Sequence, residues 1–251
     1  MASLRSAFVL ATLAAAAGCA ADSGDSPLLI LANAAPADGC TFSASASGSF
    51  FATGIVDVLY AGTSGTYVAA PLVENTTIVD ETNHPELVSH RTANLRGLHV
   101  SITFTDDAVV SAAEQASMKA DGLLQFDARF AGTVAPNGGT GAFPVEVVSN
   151  ALLQRISTAI NGGTGRVGLM VDMRAFGDLG GDNAESASFQ YPVEVCTGCL
   201  TNDLGPCSSV PKSFTPRTGG ICDFRQDGVV DCCSSLTGAP VCPAIGTQSG
   251  T

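Results

Sequence analysis

The sequence predicts an all-β protein: an antiparallel β-sandwich, Ig-like in general architecture, with one short helix and a disulfide-rich C-terminal tail. Three observations carry this expectation. Four segments alternate apolar and polar residues with a period of two. Seven cysteines crowd into residues 196–251. Charged residues make up only 14% of the 251, too few Glu, Lys and Arg to coat long surface helices.

The balance of charge narrows the function. Eleven basic residues stand against 23 acidic ones, giving a net charge of −12. Phosphate binding needs clustered Lys and Arg, so an electrostatic nucleic-acid binder is excluded. An apolar content of 45% is enough for a sizeable core.

In chain order, the first element is an export signal over residues 1–18. Arg5 supplies the positive end, Ala7 to Ala17 an uncharged apolar run, and small residues follow. Such a run is too short to cross a hydrocarbon layer of about 30 Å. The string Ala16-Ala17-Gly18-Cys19 resembles a bacterial lipoprotein box, with Ala16 where Leu is usual. The resemblance implies that Cys19 is lipidated and becomes the N-terminus, anchoring the chain to a membrane without spanning it. Ordinary cleavage after Ala17 or Ala20 is the alternative. By resemblance to lipoprotein sorting rules, the absence of Asp just after Cys19 points to the outer membrane. Residues 19–39 read as a tether, within which the run Leu28–Leu31 is either tether or an edge strand.

Residues 40–195 form the expected sandwich domain. Leu98, Val100, Ile102 and Phe104 share one parity, with His99, Ser101, Thr103 and Thr105 on the other. Leu124, Phe126, Ala128, Phe130 and Val134 alternate with Gln125, Asp127, Arg129 and Thr133. Val167–Met173 and Phe189–Val195 repeat the pattern. Period two places one face in a core and one in water. Further strands are expected at 55–60, 67–73, 78–80 and 143–148, giving about eight short strands, the pattern of a sandwich. Ser149 can cap a helix whose stripe is Leu152, Leu153, Ile156 and Ile160, ending at Asn161-Gly162. A second helical turn is possible over 108–119. The string NGGTG occurs at 137–141 and 161–165 and reads as two glycine turns.

The tail, residues 196–251, is organised by cysteine. Setting Cys19 aside leaves Cys40, Cys196, Cys199, Cys207, Cys222, Cys232, Cys233 and Cys242, enough for four disulfides in an oxidising compartment. Seven is odd, so complete pairing within the chain requires Cys40 to reach a tail cysteine. Adjacent Cys232 and Cys233 should bond elsewhere, because a bridge between neighbours violates normal Cα spacing. Cys196-Thr-Gly-Cys199 is a C-x-x-C, but Gly198 and the following TNDLGP favour a loop over the helix start of a thioredoxin-like site. No second C-x-x-C supports structural zinc. The segment Phe189-Gln-Tyr-Pro-Val-Glu-Val-Cys196-Thr-Gly-Cys199-Leu200, taken with the N-terminal box, resembles a group of predicted lipoproteins from myxobacteria. That resemblance implies an envelope location and a β-rich exported domain, and brings no activity with it.

Catalytic motifs are sparse. His84, His90 and His99 lie close in sequence but fit no H-E-x-x-H spacing, and read as exposed. No G-x-S-x-G elbow is present. Asp106-Asp107 reads as a turn or cap. Calcium is the small ligand best matched by residue type: Asp178, Asp182, Asn183 and Glu185 put four oxygen donors in a glycine-rich loop, with Asp223, Asp227 and Asp231 as a second acidic series. Neither matches an EF-hand, and solvated loops explain both. Asn75-Thr-Thr is formally a glycosylation sequon. The leading expectation is a non-enzymatic envelope lipoprotein that binds or spaces an envelope or extracellular ligand, with no catalytic residue and no cofactor assigned. The alternatives are an exported hydrolase acting on an envelope or extracellular polymer, and a calcium-dependent adhesive module.

Overall fold

The computed structural model describes residues 26–59, 65–106, 109–160 and 165–244. The signal, Cys19, the first part of the tether, Asp107 and the turn at 161–164 lie outside the described residues. The chain runs β1 (Leu28–Ala34), β2 (Pro36–Ala37), β3 (Thr41–Phe42), β4 (Phe50–Phe51), β5 (Gly54–Asp57), β6 (Tyr67–Ala69) and β7 (Pro71–Asn75). Then come α1 (Glu86–Arg91), β8 (Ala93–Phe104), α2 (Ala112–Ala120), β9 (Gln125–Val134), β10 (Gly139–Ala142), β11 (Val145–Val148) and α3 (Asn150–Ile160). Last are β12 (Arg166–Leu179), β13 (Asp182–Glu185), β14 (Phe189–Cys196), β15 (Thr201–Pro206), a 3-10 turn (Cys207–Ser209), β16 (Val230–Ser234) and β17 (Pro240–Val241).

Two sheets enclose one core. The larger has the order β5-β14-β12-β8-β9, with β13 folded back on β12; the smaller has the order β10-β7-β1-β4. Strand β1 lies over β12 and β14. Leu28, Ile30 and Val73 from the smaller sheet share a cluster with Leu98, Val100, Leu169, Val171 and Val193 from the larger. The alternation seen in the sequence therefore decides the layering. Leu98, Val100 and Ile102 point inward while His99 and Thr103 face water. A bulge between Leu95 and Gly97 switches the parity, so that Gly97 and Leu98 are both buried.

Helix α3 closes one side of the core. Ser149 Oγ accepts from the Leu152 amide at 3.3 Å, the expected cap, and Leu152, Leu153, Ile156 and Ile160 are all buried. Burying each such side chain stabilises the fold by about 1.5–3 kcal/mol. The second helix also forms, starting at Ala112 behind an Ser111 cap, and it buries Met118. Arg155 of α3 ties the two helices together through Glu114 and Asp121. No described helix is long and apolar enough to cross a membrane.

Four expectations are corrected. The fold begins before residue 40, because Leu28–Ala34 is an inner strand and not part of a tether or an edge; Leu28 is fully buried between β7 and the larger sheet. Three helices replace one, since α1 forms after the polar stretch ending at Pro85, although it buries nothing. Two pairings, β5 with β14 and β15 with β16, are parallel. No strand forms over 78–80, where Ile78 is exposed.

The tail is bound to the body by a bridge and by hydrogen bonds. Cys40 pairs with Cys222, Cys207 with Cys233, Cys232 with Cys242, and Cys196 with Cys199. Cys40 thus reaches a tail cysteine, and the two adjacent cysteines bond elsewhere. Residues 225–227 lie along the outer edge of β5: the Asp57 amide donates to the Arg225 carbonyl, and the Asp227 amide to the Ile55 carbonyl. The Gln226 side chain, also buried, exchanges hydrogen bonds with both backbone groups of Val68.

A buried polar chain joins both sheets to the tail. Tyr67 Oη donates to Asp227 Oδ2 at 2.9 Å. Having spent its only proton there, it must accept from Tyr191 Oη, also 2.9 Å away. Tyr191 in turn receives a hydrogen bond from Asn33 of β1. Burial raises the Tyr67 phenol well above its usual range, with the neighbouring Asp227 adding to the effect. It pushes Tyr191 up to about 12. It also raises the Asp227 carboxyl, against the opposing bonds from Ile55 and Tyr67. Among the described residues, no buried side-chain nitrogen or oxygen lacks a partner, as a dry interior requires.

Candidate binding face

The outer side of the larger sheet carries an array of polar and charged side chains from four strands. Its geometry follows from register. Asp127 of β9, His99 of β8 and Arg174 of β12 stand in one cross-strand row. Gln125, Ser101, Asp172 and Gln190 form the next, and Thr103 and Met170 the row after. All occupy the wet parity of their strands. Together they line an open groove of about 840 Å³.

His99 is held by two neighbours, and Arg129 braces both. Its Nδ1 lies 2.6 Å from Asp127 Oδ1. Its ring stacks on Phe176, with centroids 4.2 Å apart and planes 16° from parallel. Arg129 donates to the other Asp127 oxygen at 2.9 Å and lies 5.1 Å over the Phe176 ring. Gly97 makes room for that ring: a Cβ there would stand 2.5 Å from the Ala128 carbonyl oxygen and 3.0 Å from Phe176. Phe176 is level with Gly97 in the register. The stack on Phe176 thus engages the imidazole from the Gly97 side of its row.

The remaining charges compensate one another. Asp172 accepts from the Ser188 hydroxyl. Arg174 stands 3.7 Å from Asp172 and 3.8 Å from Glu185. What remains is a platform of carboxylate, carboxamide and hydroxyl groups around the thioether of Met170, suited to hydrogen-bonding a polar ligand.

The other candidate residues do not converge on this face. His84 pairs with Glu86 at 3.2 Å on the surface, and His90 lies on α1. The calcium reading is not supported. Asp178 and Asp182 flank the Gly180-Gly181 turn of a hairpin, Asp178 meets Asn94 and Arg96, Asn183 accepts from Arg96, and Glu185 faces Arg174. In the second acidic series Asp223 pairs with Arg225, Asp227 with Tyr67, and Asp231 with Arg217. Asp231 is buried, and its hydrogen bonds from Arg217 hold its carboxyl well below the usual carboxylate range. Asn75 of the sequon is fully buried and donates to the Arg91 and Val134 carbonyls, so it is closed to glycosylation. Among the described residues, one metal-compatible cluster of three exists, formed by Glu194, Cys196 and Cys199.

Asp127, Asp172, Arg174 and Gly97 were not picked out from sequence. The available signal was the row of polar residues on the wet parity of each strand; which strands are neighbours is not written in any one of them.

No family model and no curated protein matches the chain. A crystal structure of a protein from Archaeoglobus fulgidus aligns with 52% of this chain and 84% of its own, at 14% identity and a TM-score of 0.32. Likeness at that level carries neither fold nor function across.

Proposed function

We propose that the chain is an exported envelope lipoprotein, anchored through Cys19 in the outer membrane, whose disulfide-clamped sandwich is a non-enzymatic binding module for a neutral, hydroxyl-rich ligand such as a glycan strand. The observation that carries the binding reading is the cross-strand grid on the outer face of the larger sheet. Its charged groups are paired internally, and Gln125, Ser101, Gln190 and Thr103 add neutral donors and acceptors between them. Hydroxyl groups can both donate to and accept from such an array without stranding a charge. Four disulfides support an oxidising compartment.

Binding is favoured over hydrolysis because the groove's carboxylates are already engaged: Asp127 by His99 and Arg129, and Asp172 and Glu185 by Arg174.

The test is calorimetric titration of the purified protein with neutral hexose and N-acetylhexosamine oligomers. Saturable binding that Asp172→Ala and Gln125→Ala both weaken is expected. No binding to any oligomer, or binding that both variants retain in full, refutes the assignment. Release of reducing ends during the titration would favour the hydrolase. The anchor is tested separately by the intact mass of protein from native membranes: an unlipidated, soluble chain with free thiols would overturn it.

A further inference from the structure

The Cys196–Cys199 corner has features that a staple does not need. Its bridge spans three residues, against 10, 26 and 182 for the others. It closes the shortest loop and so constrains the unfolded chain least. The corner is also held without it. Buried Asp57 of β5 accepts from the amides of Leu59 and Gly198 through Oδ1, and from the Leu200 amide and the Thr201 hydroxyl through Oδ2, all within 3.0 Å. Gly198 turns the chain at φ +75°. Opening the sulfur–sulfur bond therefore leaves the two cysteines aimed at one place.

A third donor already faces them. The sulfurs and a Glu194 carboxylate oxygen all lie within 4.8 Å of one another. Glu194 is held by Arg166, which stands opposite Cys196 in the β12–β14 register. Two thiolates and a carboxylate are a donor set for a borderline-soft divalent cation, with water left to complete a tetrahedron.

We propose that this corner is a redox-gated metal site. In the disulfide form both sulfurs are committed to each other. A reducing dithiol delivers two electrons and two protons to the sulfur–sulfur bond, and leaves as its own disulfide. Binding of Zn²⁺ then expels the two thiol protons, and Glu194 turns from Arg166 to the ion. The site is separate from the face described above: on β14, Glu194 lies four residues beyond Gln190.

The test uses the full chain and Co²⁺ as the probe. The protein is titrated with a dithiol, alkylated, and mapped by mass spectrometry to find the reductant level at which Cys196–Cys199 is open while Cys207–Cys233 and Cys232–Cys242 stay closed. After removal of the dithiol, Co²⁺ is added. One equivalent is expected to give a thiolate-to-cobalt charge-transfer band, bleached by Zn²⁺ and absent from the oxidised protein. Glu194→Gln should weaken cobalt binding by about tenfold or more, since loss of an outer-shell partner alone can cost that much. Cys196→Ser/Cys199→Ser should abolish the band. Absence of a band in the reduced wild type, its survival in the double variant, or simultaneous opening of all four bridges overturns the proposal. Should the double variant fail to fold, Glu194→Gln decides: unchanged cobalt affinity overturns the three-donor site.

Discussion

Replacing both Cys40 and Cys222 by Ser tests the mechanical heart of the fold. That bridge closes a loop of 182 residues. Chain entropy for a loop of this length amounts to about 5 kcal/mol at 25 °C. The other bridges shorten that loop little, because Cys196–Cys199 lies inside it but spans only three residues, Cys207–Cys233 overlaps it only at its C-terminal end, and Cys232–Cys242 lies outside it. Measured bridges often deliver less than the entropic value, so the expected loss is about 3–5 kcal/mol. The folded state should change little, since Gln226 and Asp227 still hold the tail to Val68, Tyr67 and Ile55. Urea unfolding of the two proteins under non-reducing conditions gives the difference. The denaturant slope should rise as well, because the unfolded chain loses its longest constraint and exposes more surface. In a thermal scan the same loss corresponds to roughly 10 °C for a chain of this size. The single Cys40→Ser variant should in addition show one new reactive thiol, at Cys222. A loss below about 1 kcal/mol, or no new thiol, would refute the clamp.

Three further outcomes follow from the structure. The folded Asp227 carboxyl is raised above its unfolded value, so its ionisation penalises the fold: the penalty is absent below about pH 4, sets in as pH climbs through the unfolded value, and is complete above the folded one. Asp227→Asn keeps an acceptor for the Ile55 amide and should match or exceed wild-type stability at neutral pH, with the difference vanishing near pH 3; lower stability at neutral pH would contradict this. Asp231 is the opposite case, its carboxyl depressed by Arg217, so its contribution is present above about pH 4 and is lost as pH falls toward the folded value. Arg217→Ala should therefore hasten proteolysis of the tail at neutral pH, with the gap from wild type narrowing on acidification; a gap that widens refutes the pairing. Gly97→Ala should cost about 1–3 kcal/mol by overpacking against the Ala128 carbonyl and shift the His99 ring resonances as Phe176 is displaced; unchanged resonances would mean that Phe176 does not position the imidazole.

Much of this architecture is legible in the sequence, for identifiable reasons. Period-two alternation survives in β8, β12 and β14 because each has a strand on both sides and a core beneath, so burial alone sorts their residues. It blurs in β9, whose edge position leaves Phe126 and Phe130 only half-buried. With seven cysteines in the tail, complete pairing within the chain requires Cys40 to meet one of them, and it meets Cys222. Other features depend on distant partners and left no local trace. Leu28–Ala34 looks like a tether until β7 and β4 flank it. Asp57 looks like an ordinary strand-end carboxylate until a loop more than 140 residues away brings it two amides and a hydroxyl. The candidate face is legible as polar residues in four separate strands, but its rows exist only once register is set.

The strip formed by residues 225–227 has a consequence beyond holding the tail. It satisfies the outer backbone groups of β5, which would otherwise be a bare template for strands of other molecules. Proteins commonly guard such borders with lysine, and this chain has only Lys119 and Lys212 to spend. In this charge-poor sequence the border is covered by the chain's own C-terminal segment instead. Because Gln226 and Asp227 grip Val68, Tyr67 and Ile55 without help from the Cys40–Cys222 bond, the border stays covered when that bond opens; only displacement of the strip itself would let β5 of one molecule accept the tail of another.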